Sequence, residues 1–130
     1  MIAAMSVLLI VTAAKNDNMV TKIYAFGFAA SFNDSIVYFT DIQEIDSAYI
    51  NGKSKFLVDR QNYSNQLRNY LSEKKAEKNK TCVFVYALKR KDIEKKYMKM
   101  KGRYTKQGTF DIKEISTDEL KFNPIAPTKE

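Results

Sequence analysis

Between Lys89 and Lys106 the chain places nine cations, Lys89, Arg90, Lys91, Lys95, Lys96, Lys99, Lys101, Arg103 and Lys106, against only Asp92 and Glu94. That excess equals the net charge of the whole 130-residue chain, +7, so the remainder is electrically balanced. In the same stretch Ile93, Tyr97, Met100 and Tyr104 recur at helical spacing and form one apolar stripe. Lys91, Lys95 and Lys99 then fall opposite that stripe and project into water, and Lys96 and Arg103 widen the same candidate surface. An exposed basic face binds polyanions: nucleic acid, acidic glycans, or an anionic protein or membrane surface. The alternative is a solvated face that keeps the chain soluble. Lysine outnumbers arginine here, and bidentate phosphate recognition favours arginine. The aromatic stripe is needed for the core, so the helix does not read as a membrane anchor.

Other chemistry is narrowed by what is missing. The chain has no histidine, which removes Ser-His-Asp and Cys-His nucleophile activation and every histidine metal site. A single cysteine, Cys82, allows neither an intramolecular disulfide nor a structural zinc, and its apolar surroundings (Val83-Phe84-Val85) predict a buried, inert thiol. The four glycines stand apart and build no phosphate loop. Carboxylate, Tyr, Lys and Arg remain, with no assembled catalytic set and no call for a metal or cofactor. Asp41, Glu44 and Asp46 form an acidic cluster whose spacing matches no calcium loop and reads as a solvated turn. The alternating aromatics Tyr24, Phe26, Phe28 and Phe32 invite comparison with a nucleobase-stacking platform, but read more simply as core. Arg60 and Arg68 are the arginines outside the basic stretch, and Arg68 reads as a partner for Glu73 or Asp59.

The elements that must position these residues follow from periodicity. Val20 to Phe32 alternates as a strand with one aromatic face and one small face (Ile23, Ala25, Gly27, Ala29), the latter suited to close packing of a helix. Asn33-Asp34-Ser35 is a turn, and Ile36 to Ile42 completes a hairpin. Gln43 to Asp59 is less regular, with Asn51-Gly52 joining two short extended pieces. Tyr63, Leu67, Tyr70 and Leu71 mark a helix, with Asp59 or Asn62 available as its N-cap. Lys80 to Leu88 reads as a central strand buried on both faces. The basic helix follows, then a strand from Thr109 to Ile115, with Leu120-Lys121-Phe122 adding a short pairing. The order β-β-α-β-α-β predicts a single α/β (α+β) domain, a mixed sheet with two helices packed on it.

The domain is placed at 19–122, followed by a loose tail at 123–130. Ahead of it, Met1 to Ala14 carries no charged side chain. That run is shorter than the roughly 20 residues a membrane-spanning helix needs, and it fits a cleaved secretory signal, so no integral membrane segment is expected in the mature chain. The expectation is export to the periplasm or cell exterior. If Met19 is the true start, the protein is cytoplasmic and nucleic acid joins the candidate partners.

Lys22-Ile23-Tyr24, a short turn, and Tyr38-Phe39-Thr40-Asp41-Ile42 resemble the entry of the GIY-YIG nucleases. In that family two tyrosine-bearing strands precede a helix with a catalytic Arg, a strand, and a helix with a metal-binding Glu. The order over residues 20–104 is similar. The resemblance implies Tyr24 and Tyr38 as the motif tyrosines, and Arg68 and Glu94 as the Arg and Glu of a degenerate nuclease. Lys22 and Thr40 stand where the motif has glycines, and the motif Arg and the common helix His have no counterpart. In broad pattern the chain also resembles small exported bacterial proteins of unassigned function. The residues themselves favour a non-enzymatic domain that binds a protein or anionic surface partner through the basic helix; nucleic-acid binding or a degenerate nuclease is the alternative.

Overall fold

The computed structural model describes residues 18–127; the run read as a leader, 1–14, and the last three residues lie outside that range. The elements are β1 (Asn18–Ala30), β2 (Ile36–Thr40), β3 (Gln43–Asn51), α1 (Arg60–Lys74), β4 (Thr81–Ala87), α2 (Arg90–Gln107) and β5 (Asp111–Ile115). The order matches the expected one with a strand added, because Gln43 to Asn51 is regular β3 rather than an irregular stretch. No helix among the described residues is long and apolar enough to cross a membrane.

β1 is the axis of a mixed five-stranded sheet. Tyr24 and Ala25 pair with both β3 and β4, and Phe28 and Ala29 pair with both β2 and β4. A strand has two edges, so β2 and β3 share the edge opposite β4. They form one interrupted ribbon, and β5 lies parallel to β2 outside it. Between Thr21↔Ala48 and Ile23↔Ile45, and again between Ala25↔Gln43 and Phe28↔Phe39, the ribbon has one residue more than β1. The ribbon therefore carries two bulges, which bend and twist it. At the second, the Gly27 N–H donates to Thr40 Oγ1 at 2.8 Å in place of a ladder bond.

The two helices cover opposite faces. Under α2, Phe26, Phe28, Val37, Phe39 and Ile93 are buried, with Tyr97, Met100 and Tyr104 packed against them. Phe26 and Phe28 are thus roofed by α2, with Phe26 and Tyr97 edge to face at 5.1 Å, and present no stacking platform; Phe32, read as core with them, lies beyond β1 and is fully exposed. Under α1, Ile23, Ala25 and Ala29 meet Tyr63, Leu67 and Leu71. The small face permits this approach: a Cβ on Gly27 would stand 2.9 Å from Leu67 Cδ2 and 3.0 Å from Phe122 Cζ.

Three expectations are corrected. β4 is an edge strand, not a central one, since it pairs with β1 alone. α1 buries its Cys82 and Phe84, whereas Val83 on the other face stays 37% exposed. Leu120 to Phe122 forms no strand. The Gln43 amide donates from Nε2 to the Leu120 carbonyl (2.8 Å) and accepts the Phe122 N–H (2.9 Å), acting as a peptide group. Nor is the tail loose at its start. Gln66 clasps Asn123 in the same two-bond manner, and the Ile125 N–H donates to the Tyr63 hydroxyl at 3.0 Å.

Candidate anion-binding site

α2 starts from Lys89 in extended conformation and ends at Gly108, whose φ of 69° is a left-handed cap. Asp92 in its first turn complements the helix dipole. Anchored by Ile93, Tyr97, Met100 and Tyr104, the helix turns two flanks outward. They differ in kind.

The flank over β3 and β5 is neutralised. Arg90 reaches Glu44 (3.2 Å) and Glu94 (3.7 Å), and its guanidinium lies 5.3 Å from the Tyr24 ring centroid. Lys101 pairs with Glu114 and also donates to the Tyr97 hydroxyl at 3.3 Å. The hydrogen bond from Arg90, aided by Lys22, holds the Glu44 carboxyl below its usual range. The Glu114 bond raises the Lys101 ammonium.

The other flank is open. Lys91, Lys95, Lys99, Arg103 and Lys106 are exposed and have no acidic partner among the described residues. Lys96, also exposed, donates to the Tyr86 carbonyl at 3.5 Å. All five residues expected to bind polyanions, Lys91, Lys95, Lys96, Lys99 and Arg103, are exposed, and none has an acidic partner among the described residues.

Beside this flank runs a cleft of about 720 Å³ along the end of β4. Five cations (Lys55, Arg60, Lys89, Lys95 and Lys96) line it against the one carboxylate of Asp92, and Phe56, Val85 and Leu88 supply apolar walls. Tyr86 ties the opposite wall down: its hydroxyl accepts the Leu57 N–H (3.0 Å) and donates to the Lys55 carbonyl (2.8 Å). That wall is a tight loop after Asn51, whose side chain accepts the N–H groups of Lys53 and Ser54 at 2.9 Å each. Arg60, at the first position of α1, donates from Nε to the Phe84 carbonyl at 3.0 Å and lies over the Tyr86 ring at 5.6 Å. The sequence signal for this half of the site is slight, namely the Asn51-Gly52 turn that folds Lys55 and Phe56 back beside β4.

The remaining candidates separate. Tyr24 stands on the α2 side of the sheet with Glu94, which Arg90 binds. Tyr38 is buried on the α1 side, donating to Glu77 at 3.0 Å. Arg68, on α1, donates to Asn65 at 2.7 Å instead of pairing with Glu73 or Asp59. These four side chains occupy two faces of the sheet. In the acidic cluster, Asp41 accepts the Thr117 N–H (3.0 Å) and hydroxyl, Glu44 bridges Lys22 and Arg90, and Asp46 lies 3.9 Å from Lys22. No group of three or more acidic or thiol side chains gathers as a metal site among the described residues. Cys82 is buried, and burial pushes its thiol pKa up. Compared with known protein families, curated proteins and solved structures, the chain matches none.

Proposed function

We propose that the protein is a binding domain for an anionic partner, engaged by the open flank of α2 and the cleft beside β4. One observation carries this reading: the charges of a single helix are sorted, those over β3 and β5 neutralised and the others, Lys95 and Lys96 at the cleft among them, without an acidic partner among the described residues. Packing against β3 and β5 explains the first flank and does not require the second. Like charges at i, i+4 cost a few tenths of a kcal/mol each, so a run of Lys91, Lys95 and Lys99 weakens the helix slightly in the absence of a counter-surface. Read with the leader at 1–14, the partner is one met outside the cytoplasm.

The test is retention on heparin. Replacing Lys91, Lys95 and Lys99 together by Glu is expected to shift elution to much lower salt with no loss of cooperative unfolding, since all three side chains are exposed. Arg90→Gln, on the neutralised flank, is expected to leave retention nearly unchanged. If the triple variant elutes with the wild type, the binding flank is disproved.

A further inference from the structure

The cleft is more particular than a charged surface. Arg60 is already held in place, by the Phe84 carbonyl at Nε and the Tyr86 ring beneath its guanidinium, and its two terminal nitrogens make no hydrogen bond or ion pair among the described residues. A guanidinium fixed at Nε presents a rigid fork matched to a carboxylate, with little entropy left to lose on binding. Near it Phe56 is 72% and Leu88 39% exposed. Exposed apolar groups facing one concavity supply contact area that folding alone leaves unused. Lys95 and Lys96 line the same cleft.

We infer that the cleft takes an acidic peptide segment from a protein partner, with one apolar side chain seated on Phe56 and Leu88 and a neighbouring carboxylate on the Arg60 fork. This rests on the anion-binding reading of α2 and narrows it. Charge complementarity makes the occupant acidic. The size, about 720 Å³, suits a few side chains and does not admit a nucleic-acid duplex. A single nucleic-acid strand would need stacking faces in series, yet Tyr86 is covered by Arg60 and its hydroxyl is engaged, which leaves Phe56 as the single open ring of the cleft. The occupant does not enter as an added strand. Gly27 turns its N–H away from β4 towards Thr40, so the paired Phe84 turns its own backbone outward, and Arg60 already occupies that carbonyl. Recognition therefore runs through side chains.

The experiment is fluorescence anisotropy with a labelled peptide of Asp and Glu around one central Phe. Its competitors are the same peptide with Ala at the centre and an oligothymidylate of equal charge. The Phe peptide is expected to bind about tenfold tighter than the Ala peptide. Phe56→Ala is expected to erase that difference, and Arg60→Lys to weaken both peptides. Equal binding of the two peptides, or tighter binding of the oligothymidylate, overturns the peptide site. If the peptides bind equally while the α2 triple variant still loses heparin retention, the peptide site alone fails; if heparin retention is also unchanged, the anion-binding reading fails with it.

Discussion

Thr40 Oγ1 lies 2.8 Å from the Gly27 N–H and closes the gap that the bulge after β2 opens in the sheet. Thr40 is 1% exposed, so water cannot substitute for it. Thr40→Val keeps the shape and strands the buried N–H, at an expected cost of about 1–3 kcal/mol. Gly27→Ala drives a Cβ into Leu67 and Phe122, both buried, at an expected cost of about 1–3 kcal/mol. Urea denaturation of the two variants and their double mutant checks both values and whether they add.

Phe122 is held by the Gln43 amide and set edge-on against Phe84, ring centroids 4.9 Å apart. It is 2% exposed although it lies outside every helix and strand. Phe122→Ala is expected to cost about 3–5 kcal/mol, as large as a loss inside a regular element. A loss under 1 kcal/mol in the same denaturation assay would show that the segment only rests on the core.

The Lys80 ammonium is buried, with its side chain 2% exposed, and it donates to Asp34 at 2.6 Å and to the Ile36 carbonyl at 2.8 Å. The Lys80 bond, helped by the Ile36 N–H, holds the Asp34 carboxyl below its usual range. A carboxyl depressed in the fold contributes stability at pH values above the ordinary carboxylate range, lost as pH falls through the depressed value. Asp34→Asn is therefore expected to flatten the acid limb of a stability–pH profile. Lys80→Met flattens it too, and at neutral pH also forfeits the bond to Ile36, at about 1–3 kcal/mol. An acid limb unchanged in both variants would contradict the assignment.

Burial, then the hydrogen bond to Glu77, raises the Tyr38 phenol to about 12. A pKa raised in the fold stabilises fully below the unfolded value of about 10 and is lost as pH climbs through the folded one. Ultraviolet titration is expected to show a tyrosinate step near 12 that is absent in Tyr38→Phe. That step moves down in Glu77→Gln, which removes the negative charge beside the phenol.

Periodicity made the faces legible. The small run Ile23, Ala25, Gly27 and Ala29 announced a close helix, and the stripe from Ile93 to Tyr104 announced the packing of α2. It could not assign edges. Lys80 to Leu88 is apolar enough for a central strand, and only pairing shows it to be an outer one, with Arg60 shielding its free side. Half of the candidate site was visible as the lysines of α2. The other half, Lys55, Phe56 and Arg60, was not, because a turn and one carbonyl contact bring it across the chain to Tyr86. Gln43 and Gln66 were hidden for a related reason: a glutamine that replaces a peptide group has no periodic signature.

The sharing of β1 between both layers also bears on how the chain is made. β1 leaves the ribosome before every other described element, yet its two faces wait for different cover. Phe26 and Phe28 wait for α2, and the face around Gly27 waits for Phe122, far towards the C-terminus. Through most of synthesis this strand is an exposed aromatic ribbon with an unpaired edge, the kind of segment that holdase chaperones protect and that aggregates when they are scarce.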